Sequence, residues 1–285
     1  LYSQFQALRP ATLALDSYYS FRNRYCVMGG YENREVVAYK YVEELMDLIE
    51  PWSLRKEKED CLDLPEKTFQ TREVTMAPEQ ARIYKELKKN LMTNILSASG
   101  EKHHIEVDMI LEAYMRLQQI TGGFYSTLES EYVDPVSGKK KRTFRTHQIP
   151  GKNPKIEELA DLLDELRGKQ VMIWSRFRAE VEAIANRLEK SGFRVLQFHG
   201  GLKEDEKNQA VREFQARNAD VLIATQQSGS YGLTLTAAHT AIYFSMGFSL
   251  EEFLQSQDRI HRIGQSIACT YILLGCAGTV DSNVR

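Results

Sequence analysis

The stretch QVMIWSRFRAEVEAIANRLEKSGFRVLQF, residues 170–198, decides the fold of this chain. It opens on a short apolar run, QVMIW, passes through an amphipathic helical pattern that closes on a glycine, and ends in a second apolar run, RVLQF. Short apolar runs separated by a helix are typical of a βαβ unit whose parallel sheet is covered on both faces. The stretch therefore predicts parallel strands joined by a right-handed crossover.

The same alternation continues on both sides of this unit. A helix with leucines at helical spacing and a closing glycine precedes it, at residues 153–168. Further elements follow in the order helix, strand, strand, helix, strand, at residues 202–217, 220–224, 240–244, 249–264 and 269–274. This order predicts an α/β domain with a doubly wound parallel sheet over about residues 151–285.

The half of the chain before residue 151 shows a different pattern. Long helical patterns occupy residues 34–52, 77–96 and 106–123, which predicts an all-helical region packed beside the α/β domain. Between the halves, residues 132–154 contain two turn signals with alternating flanks, which favour a β-hairpin.

Composition restricts the classes of function. The chain has 285 residues, 42% hydrophobic content and a net charge of −2, so it is expected to form a core and carries no overall basic signal for nucleic acid. Its four cysteines form no CxxC pair, which predicts reduced thiols in an intracellular protein and no metal site. No apolar run has the roughly 18 residues that a membrane span needs, so no membrane partner is expected.

Four polar or glycine-containing turns follow predicted strands. They read WSRF, FHGG, ATQQSGSYG and YFSMGF. Because ligands of such sheets bind at the carboxyl ends of the strands, these turns form the candidate binding edge. Their hydroxyls, glycines and arginines suit a phosphate or a nucleic-acid backbone, although each turn taken singly is also an ordinary cap or turn. The candidate residues are Ser175, Arg176, His199, Gly200, Thr225, Gln226, Ser228, Gly229, Ser230, Gly232 and Thr234.

The segment QSQDRIHRIGQ, residues 255–265, carries a second set of candidates. Arg259 and Arg262 are expected on one helix face, where guanidinium groups can donate to phosphate oxygens. Gln255 could orient a water or a phosphate, and Asp258 could hold an arginine by an ion pair. A solvated helix with an Asp–Arg pair explains the segment equally well.

A basic run and two absences complete the pattern. GKKKRTFRTH, residues 138–147, could place Lys140, Arg142 and their neighbours on DNA phosphates, or it could be a solvated hairpin tip. No G-x-x-x-x-G-K-[ST] motif occurs, and no acidic run that would hold Mg²⁺ follows a strand. The parts that bind a triphosphate and its metal are therefore not found in this sequence.

The order and spacing of VMIWSRF, FHGG, ATQQSGSYGLTLTAA and QSQDRIHRIGQ resemble the C-terminal motor lobe of the SNF2 family. This family comprises helicase-like, ATP-dependent DNA translocases of superfamily 2. SLRKEKEDCLDLPEKTF, VTMAPEQARIYKEL, MRLQQITGGF and GTVDSNV extend the resemblance over most of the chain. The resemblance implies a RecA-like lobe. It also implies a division into the tail of a first lobe with one helical insertion (1–75), a second insertion with the basic hairpin (76–150) and the C-terminal lobe (151–285).

The resemblance also implies roles for residues. Arg262, and with it Arg259, resemble arginine fingers that reach the γ-phosphate of ATP across an interface between lobes. Gln255, Asp258, Gly229 and Gly232 resemble members of the nucleotide-binding motifs. The DNA-facing positions are implied to be Ser175, Arg176, His199, Gly200, Thr225, Gln226 and Ser228, with Lys140 and Arg142 added from the basic run.

These implications lead to one expected function and two alternatives. The chain is expected to be half of a DNA-stimulated ATPase that moves along double-stranded DNA. ATP and Mg²⁺ would be held by a first lobe that this sequence lacks, in the cytoplasm of a prokaryote or phage host or in a eukaryotic nucleus. A non-catalytic RecA-like module that binds DNA or a partner is the main alternative, and an RNA-unwinding relative is another.

Overall fold

A six-stranded parallel sheet is the central element of the computed structural model of the chain. All five neighbouring strand pairs run parallel. The α/β class and the doubly wound parallel sheet are therefore confirmed. From one edge to the other, the strands are β3 (Lys67–Val74), β10 (Cys269–Cys276), β9 (Thr240–Tyr243), β6 (Val171–Ser175), β8 (Val221–Thr225) and β7 (Val195–Phe198).

Alternation along β6 explains why helices cover both faces of the sheet. Val171 and Ile173 belong to one buried cluster, whereas Met172 and Trp174 belong to another on the opposite face. Because successive side chains of a strand point to opposite faces, a wholly apolar strand needs a helical layer on each side. The helices that follow residue 151 are α6 (Pro154–Glu165), α7 (Arg178–Lys190), α8 (Glu204–Gln215) and α9 (Leu250–Gln257).

The chain packs as two units, Leu1–Asp63 and Leu64–Arg285. The structure describes residues 1–29, 35–54, 56, 61–101, 107–133, 140–228 and 232–283, without the side chains at 94–101, 107–109, 140, 141 and 283. Among these residues, no helix is both long enough and apolar enough to cross a bilayer. The three-part domain division drawn from the sequence stays a prediction.

The smaller unit combines short helices with a two-stranded antiparallel sheet. Its core contains Leu13, Phe21, Tyr25 and Ile49. Its regular elements are α1 (Tyr2–Leu8), α2 (Tyr18–Tyr25), β1 (Cys26–Gly29), β2 (Glu35–Tyr39) and α3 (Val42–Ile49).

Residues 34–52 do not form the single helix that their pattern predicts. Residues 35–39 pair with β1 as a strand, and the helix begins only at Val42. Tyr41 adopts a left-handed φ of 52°, which separates the two elements. The sequence EVVAY is rich in β-branched and aromatic residues, which favour a strand when a partner strand is adjacent.

The region between residues 64 and 150 also contains more strand than the all-helical expectation. The two predicted helices are present as α4 (Pro78–Glu101) and α5 (Val107–Thr121). The predicted hairpin is confirmed as β4 (Phe124–Val133) paired with β5 (Lys140–Gln148). The strand β3 joins the edge of the main sheet, and the sequence analysis missed it because most of its side chains are exposed and form no continuous apolar run.

Helix α9 is shorter than the predicted helix 249–264, since it ends at Gln257. The carbonyl of Gln257 accepts hydrogen bonds from the Tyr271 hydroxyl at 3.0 Å and from the backbone N–H of Ile260 and His261. The two N–H bonds are local turn bonds, and the helical ladder stops because the carbonyl of Arg259 accepts from the backbone N–H of Leu235 instead. Arg259 and Arg262 consequently lie in successive turns and not on a helix face.

A buried ion pair joins the short turn at Val280–Asn283 to helix α6. Lys155 is fully buried, and its Nζ donates to Oδ2 of Asp281 at 2.8 Å. Asp281 also accepts from the Thr121 hydroxyl at 2.9 Å and from the backbone N–H of Cys276 at 3.0 Å. A buried carboxylate with three donors is well satisfied, and its charge depends on the lysine.

Lys155→Met is expected to destabilise the larger unit by about 3–5 kcal/mol, because it leaves Asp281 buried without its counter-ion. Urea unfolding monitored by fluorescence measures the change. Arg82→Met is the matched control, since Arg82 pairs with Glu79 and Glu86 at the surface. Its expected cost is below about 1 kcal/mol. Equal costs for the two variants would contradict this account.

Candidate functional site

The turn that carries the two conspicuous arginines lies against the segment that follows β8. The backbone N–H of Leu235 donates to the carbonyl of Arg259 at 2.8 Å. The side-chain amide of Gln265 donates to the carbonyls of Ala238 and Thr236 at 2.9 and 3.3 Å. We call residues 258–265 the arginine turn. It is held in place by backbone groups of residues 235–238.

Arg259 is unusual because its guanidinium is buried without complete pairing. The residue is 8% exposed, and its Nε finds no hydrogen-bond partner among the described residues. Burial and the neighbouring charge of Arg262 lower the pKa of Arg259, and the charge of Asp258 opposes that shift. A buried, incompletely satisfied cation is costly, and an anion supplied from outside would compensate it.

Arg262 is half-buried and points toward the same segment. Its Nη1 lies 3.3 Å from the carbonyl oxygens of both Gly232 and Leu233. Gly232 adopts a positive φ of 52°, a conformation that glycine reaches without strain. Both arginines are therefore beside residues 232–235, in the segment that connects β8 to β9.

The other predicted nucleotide-site residues are placed less favourably. Gln255 on α9 donates to Oε1 of Glu251 at 2.9 Å. Asp258 lies 3.9 Å from the Nζ of Lys67, and its predicted pairing with an arginine stays a prediction. Gly229 lies outside the described residues, as does Ser230.

The turn after β6 is organised by a buried carboxylate. Glu180 is fully buried, and its Oε2 accepts from the Ser175 hydroxyl at 2.5 Å and from the Ser245 hydroxyl. Burial raises the pKa of Glu180, and the charge of Lys155 and the serine hydrogen bonds oppose the shift. Ser175 is also fully buried. Its hydroxyl therefore supports the turn from inside, and helix α7 begins after Phe177.

Arg176 connects this turn to the helical region before it. Its Nη1 donates to Oε1 of Gln118 at 2.5 Å, and Gln118 in turn donates to the carbonyl of Met246 at 3.1 Å. The guanidinium lies 5.5 and 5.2 Å from the ring centroids of Phe177 and Phe248. Burial lowers the pKa of Arg176, against the nearby charges of Glu180 and Glu252.

The turn after β8 carries three predicted DNA contacts. The hydroxyls of Thr225 and Ser228 lie 2.8 Å apart and are buried. Gln226 is buried as well, and its Oε1 accepts from the backbone N–H of Gly247 at 2.9 Å. These side chains shape the edge of the sheet from within, and Thr234 is exposed farther along the same segment.

The turn after β7 holds His199 and Gly200. The Nδ1 of His199 accepts from the backbone N–H of Gly201 at 3.1 Å, so the ring hydrogen is on Nε2. Burial and the charge of Arg178 lower the pKa of His199, which favours the neutral imidazole. A Cβ added at Gly200 would meet no atom within 4 Å, so the backbone there is open to a large neighbour.

The two predicted hairpin residues are on β5. Arg142 lies on β5, and its Nε donates to Oε2 of Glu131 at 2.6 Å across the hairpin. Its charge is thus partly neutralised already. The side chain of Lys140 lies outside the described residues.

A cleft of about 510 Å³ opens where the turns after β6, β8 and β9 meet α5. Arg176 and Glu252 supply its charges, and Phe177 and Phe248 supply aromatic surface. Ligands of doubly wound sheets bind at the point where the strand order reverses, and β6 lies between β8 and β9 at that point. Within the described part of the chain, no group of three or more His, Cys, Asp or Glu side chains has the geometry of a metal site.

Sequence reasoning missed the supporting residues of this edge. Glu180, Gln118 and Ser245 form hydrogen bonds across 58 to 69 residues of sequence, which no local pattern indicates. Glu180 is the third residue of α7, a position typical of a capping glutamate, and no sequence signal marks it as buried.

Comparison with known families gives two matches. The SNF2-related domain matches residues 2–123, and the helicase conserved C-terminal domain matches residues 154–264. These matches confirm the resemblance to the SNF2 family. The chain is 27% identical over 86% of its length to the putative ATP-dependent helicase/translocase YwqA of Bacillus subtilis. It is 23% identical over 89% of its length to the ATP-dependent DNA helicase DDM1 of Arabidopsis thaliana.

The chain spans only 26% of the Bacillus protein and 33% of the Arabidopsis protein. Solved structures agree on the fold. The Sulfolobus solfataricus SWI2/SNF2 ATPase core in complex with dsDNA has a TM-score of 0.57 at 24% identity, with 100% of this chain and 56% of that chain covered. The C-terminal part of the Fun30 ATPase domain has a TM-score of 0.60 at 14% identity, covering 78% of this chain and 89% of that one.

Gly122→Ala tests the packing around Glu180. A Cβ at Gly122 would lie 2.3 Å from Oε1 of Glu180 and 3.1 Å from the ring of Phe124. We expect a loss of about 1–3 kcal/mol in the free energy of unfolding, because the buried carboxylate has no room to move. Gly200→Ala is the matched control and is expected to change stability by less than about 0.5 kcal/mol. A neutral Gly122→Ala variant would show that Glu180 is not confined as described.

Proposed function

We propose that this chain is the second half of the motor of an ATP-dependent DNA translocase. It would supply guanidinium groups to an ATP site that a first RecA-like lobe completes. It would also supply one of two grips on the backbone of double-stranded DNA. The relatives that are named helicases or translocases support the activity class, and the SNF2-type core solved with dsDNA supports the substrate class.

The observation that carries this proposal is the state of Arg259. Its guanidinium is buried, its Nε has no partner among the described residues, and the charge of Arg262 is close enough to lower its pKa further. A buried, incompletely paired guanidinium beside a second cation favours an anionic ligand. Guanidinium groups suit the γ-phosphate of ATP, whose oxygens gain charge during phosphoryl transfer.

In this proposal, ATP with Mg²⁺ would be bound jointly by this chain and a first lobe. Arg259 and Arg262 would donate to the γ-phosphate, and Gln255 and Asp258 lie near the same turn. Magnesium would neutralise phosphate charge when bound, and its ligands are expected in the first lobe. The residues of this chain would therefore orient and stabilise the phosphate without holding the metal.

The DNA grip would use the turns after β6, β7 and β8. Arg176 and the open backbone at Gly200 are the parts of these turns best placed to meet phosphates. The hydroxyls of Ser175, Thr225 and Ser228 are buried, so their proposed role is to fix the backbone N–H groups that face the DNA. Lys140 and Arg142 would extend the basic surface along the hairpin.

A non-catalytic binding module is the second candidate. The observation that favours it is that Arg262 already donates to carbonyl oxygens of its own chain. In that case the arginines would only stabilise the segment after β8, and their removal would lower stability without affecting any ATPase.

Arg262→Ala, made in the full-length protein that contains this chain, separates the two candidates. We expect kcat for DNA-stimulated ATP hydrolysis to fall about 10³-fold or more, because an arginine finger contributes that much to phosphoryl transfer. Duplex DNA affinity, measured by fluorescence anisotropy, should stay within about twofold. Arg167→Ala is the control, because that exposed arginine precedes β6 and pairs with Asp164. Undiminished turnover in Arg262→Ala would contradict the proposal.

The isolated chain is expected to show negligible ATP hydrolysis, with or without duplex DNA. A phosphate-release assay at saturating ATP measures this, with the full-length protein as the positive control. Turnover by the isolated chain near that of the full-length protein would show that the chain holds a complete ATP site, contrary to the shared-site proposal.

A further inference from the structure

The segment Leu64–Lys67 contacts the arginine turn through Pro65 and His261, which are 196 residues apart in sequence. The Nε2 of His261 lies 2.8 Å from the carbonyl oxygen of Pro65. A carbonyl oxygen only accepts hydrogen bonds, so the hydrogen is on Nε2. Since His261 is placed between Arg259 and Arg262, this bond fixes the middle of the turn.

His261 depends on this one side-chain hydrogen bond. The residue is buried, and its Nδ1 has no partner among the described residues. If the Pro65 carbonyl moved away, the buried imidazole would lose its remaining observed polar contact. Leaving a buried donor unpaired is costly, so the turn is expected to follow the position of Pro65.

Lys67 holds the start of the turn in a similar way. Its Nζ donates to Oε1 of Gln257 at 3.3 Å and lies 3.9 Å from Oδ1 of Asp258. Gln257 is the last residue of α9, where the helix dipole favours a positive charge. The lysine therefore stabilises the point at which the helix changes into the arginine turn.

The segment itself is held by the main sheet. The backbone N–H of Cys269 donates to the carbonyl of Glu66 at 2.9 Å. Phe69 stacks on Tyr271 with ring centroids 5.1 Å apart, and the Tyr271 hydroxyl donates to the carbonyl of Gln257. Residues 64–67 are thus positioned by β10. They contact His261, Gln257 and Asp258, so their position affects that of the arginine turn.

We propose that Lys67 and the Pro65 carbonyl, acting through His261, are positioning groups for Arg259 and Arg262. We call residues 64–67 together with His261 the clasp. This inference rests on the proposed function of the arginines. The clasp touches neither nucleotide nor DNA, and its role is to restrict the arginine turn to one arrangement. Loss of the clasp therefore reduces turnover and leaves nucleotide affinity nearly unchanged.

Steady-state ATP hydrolysis by the full-length protein with saturating duplex DNA tests the catalytic consequence. His261→Leu and Lys67→Met are expected to lower kcat about 10- to 100-fold, the range that a displaced catalytic group produces. The KM for ATP should stay within about twofold, because the lost interaction is not made to bound nucleotide. His261→Gln keeps an N–H donor and Lys67→Arg keeps the charge, so both should recover most of the activity.

A matched control separates positioning from general damage. Lys190→Met removes an exposed lysine from the last turn of α7, which has no observed contact with the clasp or the arginine turn in the described part of the chain. This control should retain kcat within about twofold. Equal losses in His261→Leu and His261→Gln, or wild-type kcat in the Leu and Met variants, would overturn the proposal.

Amide hydrogen exchange of the chain itself tests the clasp without any enzymatic activity. Peptides covering residues 258–265 should exchange about tenfold faster in His261→Leu and Lys67→Met, while peptides from β6 and β8 keep their protection. Unchanged exchange in 258–265 would overturn the clasp. If the full-length protein hydrolyses no ATP, the proposed function fails, and the exchange result still decides whether the clasp restricts the turn.

Discussion

The side-chain amide of Gln265 is the interaction on which the candidate site depends. Its Nε2 donates to the carbonyls of Thr236, Ala238 and Ile260, and its Oε1 accepts from the backbone N–H of Ile267. The side chain is buried, so water cannot satisfy its amide, and these bonds to protein groups do so instead. One amide thereby joins the segment after β8 to the arginine turn. It adds to the contacts of Arg259 with Leu235 and of Arg262 with Gly232 and Leu233, which fix the turn against the same segment.

Buried polar side chains also fix the turns at the carboxyl ends of the strands. Ser175 and Ser245 bind the buried Glu180, Thr225 binds Ser228, and Gln226 binds the backbone of Gly247. In each case a buried polar side chain fixes a turn whose backbone then faces outward. Fully satisfied polar networks make a site rigid, because every alternative arrangement leaves a group unpaired in a region of low dielectric. The edge is therefore preorganised before any ligand arrives.

The sequence was sufficient for the sheet and insufficient for the details of the site. The apolar runs at β6, β8 and β9 predicted parallel strands, because a strand that is apolar on both faces is typical of a parallel sheet covered by helices on each side. The strand β3 was missed, since an exposed edge strand lacks such a run. The helix predicted through residue 264 ends at Gln257 because its later residues bond to groups distant in sequence.

The site residues divide along the same line. Motif resemblance identified Arg259 and Arg262, and the structure places both beside the segment after β8. The motif resemblance could not indicate that Ser175 is buried, that Arg142 pairs with Glu131, or that Lys67 lies at the end of α9. Those facts depend on which side chains meet across the fold, and single-sequence patterns contain no information on such distances.

The most direct measurement is a structure of the full-length protein bound to duplex DNA and a nucleotide whose γ-phosphate is replaced by a transition-state analogue. The account predicts a guanidinium nitrogen of Arg259 or Arg262 within about 3 Å of an oxygen or fluorine of the analogue. It also predicts that the contacts of Arg262 with the carbonyls of Gly232 and Leu233 are loosened or lost. A closed complex in which the nucleotide is bound and both arginines contact only their own chain would contradict the account.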